Sequence, residues 1–424
     1  MEKKLLLLGS TPEATIQIIN YAKSIGVKTI VTDYYPTDYN KAKKMADESW
    51  DISVDNLDEL EKRCKEQNIT GIFSGVDEYC LDNVYELCRR LGKPCYINKH
   101  AWDIARNKYE FKQACKEVGL LTPEEYDIEE IIKNNNFECI DYPVVVKPVD
   151  KNSNIGISFC YNKEELLKGC NLARSVSNNP KIIVEKMIDG DEIMAVYVAK
   201  DGNIFHNYVE SFYCEPGNPA YYYSLLTTFS KYSDLYLLTT NIKAIEVLKY
   251  CECKEGVAFI QFKIDKTTKK MYATEMGYRM PGDLLFEATK HFTNFDTIKW
   301  MVNYSLGLDN IQRLPIENKK LARKCACSYI MWTKKAGIIK RIEGFNEIRE
   351  KLPIIYSNEY HCVGDHVKKG VYEIMVIFYT NTCEEMCEII KTINNTVSVY
   401  DQDDNDLLVK YTDFDSLLNV NNVE

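Results

Sequence analysis

The sequence predicts an α/β protein at its N-terminus that continues as an α+β protein. Two observations carry this. Up to about residue 91, short apolar runs alternate with amphipathic segments at the spacing of a parallel sheet and its crossover helices. After Pro94 the pattern changes, and strands come in antiparallel-looking pairs around polar turns. At 424 residues the chain also exceeds one ordinary core, so two or three domains are expected.

The elements follow in order. Residues 4–8 read as a buried strand that turns at Gly9-Ser10-Thr11-Pro12, and residues 13–24 as the helix after it. A second strand at 28–32 ends at Asp33. A helix at 57–67 precedes a strand at 71–74, which runs through Gly75-Val76-Asp77-Glu78 into a helix at 80–91. In a parallel sheet, ligands collect at the carboxyl ends of strands, where Gly9, Asp33, Asp77 and Glu78 fall; turn and capping roles suit the same residues. The absence of GxGxxG gives no support to a nicotinamide cofactor. Farther on, Asn107-Lys108 opens a helix over 109–118 that stops at Gly119. YPVVVKPVDKNSNIGIS (142–158) is a short apolar strand ending in Lys147 and a polar loop. Taken by itself, Lys147 is an ordinary strand-end lysine reaching for solvent. Strands at 181–185, 193–199, 257–265 and 270–276 follow, and the last runs into Gly277-Tyr278-Arg279-Met280-Pro281-Gly282-Asp283. Beyond Leu321 come strands at 324–332 and 370–378 and a helix near 384–393.

Composition narrows the function. A formal net charge of −10, with no dense Lys/Arg block, argues against nucleic acid and against an anionic membrane as the main partner. The apolar run Leu5–Leu8 is too short for a secretory segment, and no stretch is long enough to span a bilayer. Sixteen scattered cysteines suit reduced thiols and a cytoplasmic location. The pairs Cys251/Cys253 and Cys325/Cys327 lack zinc-site spacing. His206 and His291 read as ordinary core or surface residues. The segment 205–238, with Tyr213, Glu215, Tyr221, Tyr222 and Tyr223, reads as a substrate-selecting insertion or as an irregular Tyr-rich loop.

Five motifs occur in a fixed order: a lysine before a helix (Lys108), the PVVVKP strand with its small-residue loop, a strand ending Val-Glu-Lys-Met, Glu192 seven residues after the first glutamate, and Glu275-x-x-x-Arg279. Together they resemble the ATP-grasp superfamily, over roughly residues 1–310, with a tail similar to the small C-terminal domain of carboxylase-like members. The resemblance implies a pre-ATP-grasp domain over 1–95, a two-lobed ATP-grasp domain over 96–312 and a carboxylase-like small domain over 313–424.

It also implies roles. Lys108 and Lys147 match the nucleotide-phosphate lysines, and the loop with Ser153 and Gly156 the phosphate-covering loop. Glu185 with the backbone of Lys186 and Ile188 would read adenine, and Glu192 would accept from the ribose. Glu275 and Gln261 would hold Mg2+, with Mn2+ as an alternative. Here the chain departs from the pattern, with Gln261 where many relatives have glutamate and Gly277 where they have asparagine, which leaves a space for water. Arg279 would stabilise the transferred phosphoryl group, and Gly282 and Asp283 would line the acceptor pocket, with Glu78, Tyr213 and Glu215 as further substrate contacts. The implied reaction is an ATP-dependent carboxylate-amine ligation through an acyl phosphate, on small-molecule carboxylate and amine substrates, in a chain compatible with a homodimer. A nucleotide-binding protein without turnover and a bicarbonate-phosphorylating enzyme are the alternatives.

Overall fold

The computed structural model describes residues 2–151, 155–217, 223–228, 230–310, 312–315 and 324–418. The first strands are β1 (Lys4–Leu8), β2 (Lys28–Thr32), β3 (Glu48–Trp50) and β4 (Gly71–Phe73), and they form a parallel sheet in the order β3-β2-β1-β4. Leu5 to Leu8 and Ile30 to Thr32 are buried on both faces, the signature of a sheet covered by crossover helices, here Pro12–Ser24, Leu57–Gln67 and Leu81–Leu91. Asp33 accepts from Ser10 Oγ at 2.8 Å, and Asp77 accepts from Tyr79 N at 3.1 Å, so both strand-end acids brace turns.

A second, antiparallel sheet contains β5 (Val144–Pro148), β6 (Ser158–Cys160) and β7 (Ile182–Lys186), with β5 central. Val144, Val146 and Val184 pack with the helix Lys163–Val176 in a separate core of ten buried residues drawn from 128–184. Alternation along β5 and β7 then turns Lys147 and Glu185 to the other face.

The largest sheet takes β8 (Gly190–Lys200), β9 (Asn203–Cys214), β10 (Tyr223–Thr227), β11 (Gly256–Asp265) and β12 (Met271–Gly277). From the C-terminal part come β13 (Cys325–Thr333), β14 (Gly337–Glu343), β15 (Ile354–Glu359), β16 (His366–Val367), β17 (Tyr372–Thr380), β18 (Ser398–Asp401) and β19 (Leu408–Val409). The order is β12-β11-β8-β9-β10-β13-β17-β15, with β19 beside β13, while β16, β14 and β18 make a three-stranded sheet. The sheet therefore crosses residue 313 without a break, and one apolar core joins Leu5 of the parallel unit to Ile377. Much of the 205–238 segment is regular, since β9, β10 and the helix Ser233–Thr239 occupy it; Tyr221 and Tyr222 lie outside the described residues.

In the C-terminal part, Glu373 is fully buried and meets His361 Nδ1 at 2.8 Å. Burial pushes its carboxyl up to about 7 against the partial relief of His361, with Glu359 and Asp365 adding to the rise. The folded chain thus holds a proton that the unfolded chain releases near 4.5, so stability falls as pH rises from there to about 7. Glu373→Gln should flatten that slope and stabilise the protein at pH 8 by on the order of 2 kcal/mol. Denaturant unfolding at pH 5 and pH 8 measures it, and equal slopes in both proteins would refute the assignment.

Candidate active site

The site forms where the face of the β6-β5-β7 sheet that carries Lys147 and Glu185 meets the face of the large sheet carried by β8, β9, β11 and β12. Asn107 caps the helix Lys108–Val118 by accepting from Tyr109 N at 3.0 Å, which fixes Lys108 at the first helical position. Lys108, Lys112 and Lys116 then follow at intervals of four on one helix face. Each meets acids. Lys108 Nζ lies 3.4 Å from Glu275 and donates to Lys151 O at 2.7 Å, at the start of the phosphate-loop candidate. Lys112, fully buried, bonds Glu185 and reaches Glu125 at 2.9 Å, while Lys116 reaches Glu125 at 2.7 Å.

Lys147 is the second cation on Glu185, at 2.6 Å. Burial pushes the Lys147 ammonium down, opposed by Glu185 and reinforced by Lys112 and Lys108. Burial alone would raise the Glu185 carboxyl, but Lys147 and Lys112 override it and hold it below the usual range. Lys147 is therefore not a solvent lysine. Its neighbours make a dry cationic cluster at the cleft, the environment in which a phosphate gains most from opposite charge.

The expected hinge is partly committed. The Glu185 side chain holds the two lysines, Lys186 N donates to Glu124 O at 2.8 Å and Met187 N to Pro143 O at 3.0 Å. The Lys186 side chain turns to Asp141. That leaves Ile188, in the connection to β8, as the backbone amide for a base edge. Glu192 is nearly buried and accepts from Lys263 and from Tyr223 Oη, each at 2.7 Å. Burial opposes the Lys263 charge, yet Glu192 outweighs it and raises the ammonium. Gly156 sits at φ +78°, and a Cβ there would come within 2.6 Å of Val176 Cγ2, so the loop end is seated on the small lobe. Ser153 falls outside the described residues.

Glu275 and Gln261 are register partners on β12 and β11. The Gln261 amide nitrogen approaches Met194 Sδ at 4.0 Å, leaving the amide oxygen as donor to an ion. Among the described residues no group of three or more His, Cys, Asp or Glu forms a metal cage. One carboxylate and one amide oxygen fit a divalent ion held mainly by nucleotide phosphates. The space at Gly277 is not open to water, contrary to expectation: the Phe259 ring fills it, and a Cβ on Gly277 would lie 2.1 Å from Phe259 Cζ. Gly277→Asn should therefore destabilise the protein by about 2 kcal/mol, and combined with Phe259→Leu it should cost less than the two single changes summed. A Gly277→Asn protein as stable as wild type in urea would show that the ring does not set this residue.

Arg279 follows Tyr278, whose buried hydroxyl donates its one hydrogen between Glu255 O at 2.7 Å and Tyr96 O at 2.9 Å and so fixes the chain. The guanidinium stands 5.2 Å over the Phe259 ring and pairs with Glu78 at 3.3 Å. Glu78 thus reaches the site from the parallel-sheet unit, and Asp283 lies four residues past Arg279 with Oδ1 accepting from Leu285 N at 2.8 Å. Gly282 is exposed beside it. Tyr213 and Glu215 are not brought in. Tyr213 packs against the C-terminal core, and Glu215 accepts from Thr412 N and Oγ1, both at 2.6 Å. The alternation of β9 explains this, because Tyr208, Glu210 and Phe212 share the face opposite Val209, Ser211 and Tyr213. Glu210, buried, and Lys112 belong to the site region and were missed; four-residue spacing from Lys108 was the only signal for Lys112.

Fold and site define a cleft between two antiparallel sheets that is lined by paired lysines and acids. Residues 115–224 match the family described as D-ala D-ala ligase C-terminus. The chain is 27% identical over 261 residues to D-alanine–D-alanine ligase B of Clostridium tetani, covering 55% of this chain and 66% of that protein. Its matched stretch thus spans about half to two thirds of such curated relatives. The L-amino acid ligase from Bacillus licheniformis superposes with a TM-score of 0.76 at 17% identity, covering 95% of this chain and 99% of that one. The biotin carboxylase domain of the Hydrogenobacter thermophilus 2-oxoglutarate carboxylase, solved with MgADP and bicarbonate, gives 0.74 at 17% identity, with 94% and 91% covered. These likenesses fix the fold. This chain shares that fold with the L-amino acid ligase and with the biotin carboxylase domain.

Proposed function

We propose that the protein is an ATP-dependent carboxylate-amine ligase that makes an amide or peptide from small molecules through an acyl phosphate, releasing ADP and phosphate. The observation that carries this is the pair of buried lysines at the cleft, Lys147 on Glu185 and Lys108 against Glu275, with Lys112 bracing Glu185 from the helix side. In the first step a substrate carboxylate oxygen attacks the γ-phosphorus while Lys147, Lys108 and Arg279 hold phosphate oxygens whose charge shifts toward the leaving group. In the second, an amine nitrogen attacks the acyl carbon and phosphate departs with the electron pair. Bound between Glu275 and Gln261, Mg2+ would neutralise phosphate charge; Mn2+ suits the same oxygen donors.

On this reading the 1–95, 96–312 and 313–424 division separates the parallel-sheet unit, the nucleotide cleft and a supporting C-terminal part. Among the described residues no helix is long and apolar enough to cross a membrane, and sixteen free cysteines suit a reducing, cytoplasmic setting. ADP release with pooled amino acids and small carboxylates tests the activity. Binding without turnover is the second reading, favoured by the Phe259 ring in the Gly277 position, and ADP release above background removes it. ATP should raise the melting temperature more than GTP if Ile188 reads adenine; equal shifts would refute the hinge.

A further inference from the structure

Glu275, Gln261, Met194 and Glu210 are register partners in one row across β12, β11, β8 and β9, so their side chains share the cleft face. At the far end of this row Glu210 is 0% exposed, and among the described residues neither carboxyl oxygen has a hydrogen-bond donor. Two residues earlier on the same face Tyr208 is 5% exposed, and its hydroxyl is likewise without a partner. A buried carboxyl that no donor stabilises as an anion keeps its proton and needs an acceptor for it.

The neighbour of Glu210 is the carboxyl of Asp283, held in place by Leu285 N on Oδ1 and by Ser328 Oγ on its carbonyl, each at 2.8 Å. We propose that Glu210 is a positioning residue of the amine step: it donates its carboxyl hydrogen to Asp283, leaving Asp283 as the single carboxylate that meets the ammonium group of the acceptor. This rests on the ligase reading above and deepens it, because it makes the acceptor a cationic primary amine. Two carboxylates in a dry pocket cannot both be charged, and the more deeply buried one keeps the proton. Burial and the Asp283 charge push Glu210 well above the carboxylate range. Burial also raises Asp283, while Leu285 N, Arg279 and the Glu210 hydrogen pull it back. Tyr208, raised by burial and by both acids, stays a phenol. Arg279 and Tyr208 are thus the further titratable groups facing this pair.

The chemistry balances without a further reagent. The ammonium gives one proton to Asp283, the freed nitrogen pair forms the C–N bond, the C–O bond to phosphate breaks with its electrons going to phosphate, and the departing phosphate takes the second proton from nitrogen, leaving a neutral amide. Glu210 keeps its hydrogen throughout.

Hydroxylamine, uncharged near neutral pH, separates this role from a structural one. With ATP and pooled carboxylates, Glu210→Leu should lose about a hundredfold in ligation to amino acid acceptors at pH 7. The acidic limb of its pH profile should rise by about one unit, because Asp283 has lost a donor. Hydroxamate formation should stay within about threefold, and Glu210→Gln, whose amide also donates, should restore ligation. Parallel loss of hydroxamate and ligation, an equally impaired Glu210→Gln, or no change in Glu210→Leu would overturn the proposal. A wild-type protein that makes neither product removes the ligase reading instead. The pair is then decided by infrared spectra at pH 8, in which wild type minus Glu210→Gln must show a protonated carboxyl band; its absence overturns the inference, and the same spectrum decides it should Glu210→Leu not fold.

Discussion

Lys147→Ala lowers ATP-dependent ADP formation by at least about a hundredfold, as expected when a donor aimed at a developing phosphate charge is removed from a dry site. The same change costs stability, because Glu185 is buried and keeps only Lys112. Breaking one arm of a buried ion-pair network is worth about 3 kcal/mol. Lys112→Met is the control. It removes the cation that faces Glu185 and Glu125 from the helix side, so it should match Lys147→Ala in stability loss while retaining most turnover per folded molecule. Turnover and urea unfolding of the two variants check this. Near-normal ADP release in Lys147→Ala returns the residue to a structural role.

Glu275→Gln has the second large effect. It removes the carboxylate beside Lys108 and opposite Gln261, so turnover should fall about a hundredfold and half-saturating magnesium should rise. Gln261→Glu should lower half-saturating magnesium, since it adds a charge where an amide oxygen now stands. Magnesium titrations of ADP release at saturating ATP measure both. Ordinary activity and metal dependence in Glu275→Gln would mean that this strand does not carry the phosphoryl chemistry.

Much of the framework was legible because its signals are local. The strand Lys28–Thr32 and the helix Leu57–Gln67 are bounded by a turn and by an Asn cap, and the sequence reading places both to the residue. Lys147 is legible as a cation at a strand end, whereas Glu275 and Arg279 stand out only through the resemblance to the ATP-grasp superfamily. β9 was not legible, since Asn207, Tyr208, Glu210 and Ser211 break the apolar alternation that marks a strand when its inner face lines a polar cleft. Glu210 was hidden for the same reason: a carboxyl reads as surface until register and burial are known. Phe259 occupies the room at Gly277 through a cross-strand pairing that no local pattern encodes.

The lobe of β5, β6 and β7 is built around its own ten-residue core, whereas the parallel unit and much of the large sheet share another. A core that small supports its lobe weakly, so the lobe should open as a unit of low free energy without disturbing the remainder. Its amides around Val144 and Val184 would then exchange with solvent well before those of β8 and β11. On the proposed reading, a nucleotide spanning Lys147 and Glu275 would join the two bodies, and part of its binding energy would go into suppressing that opening. Slowed exchange in the lobe therefore reports occupancy from a distance, even at amides that never touch the ligand.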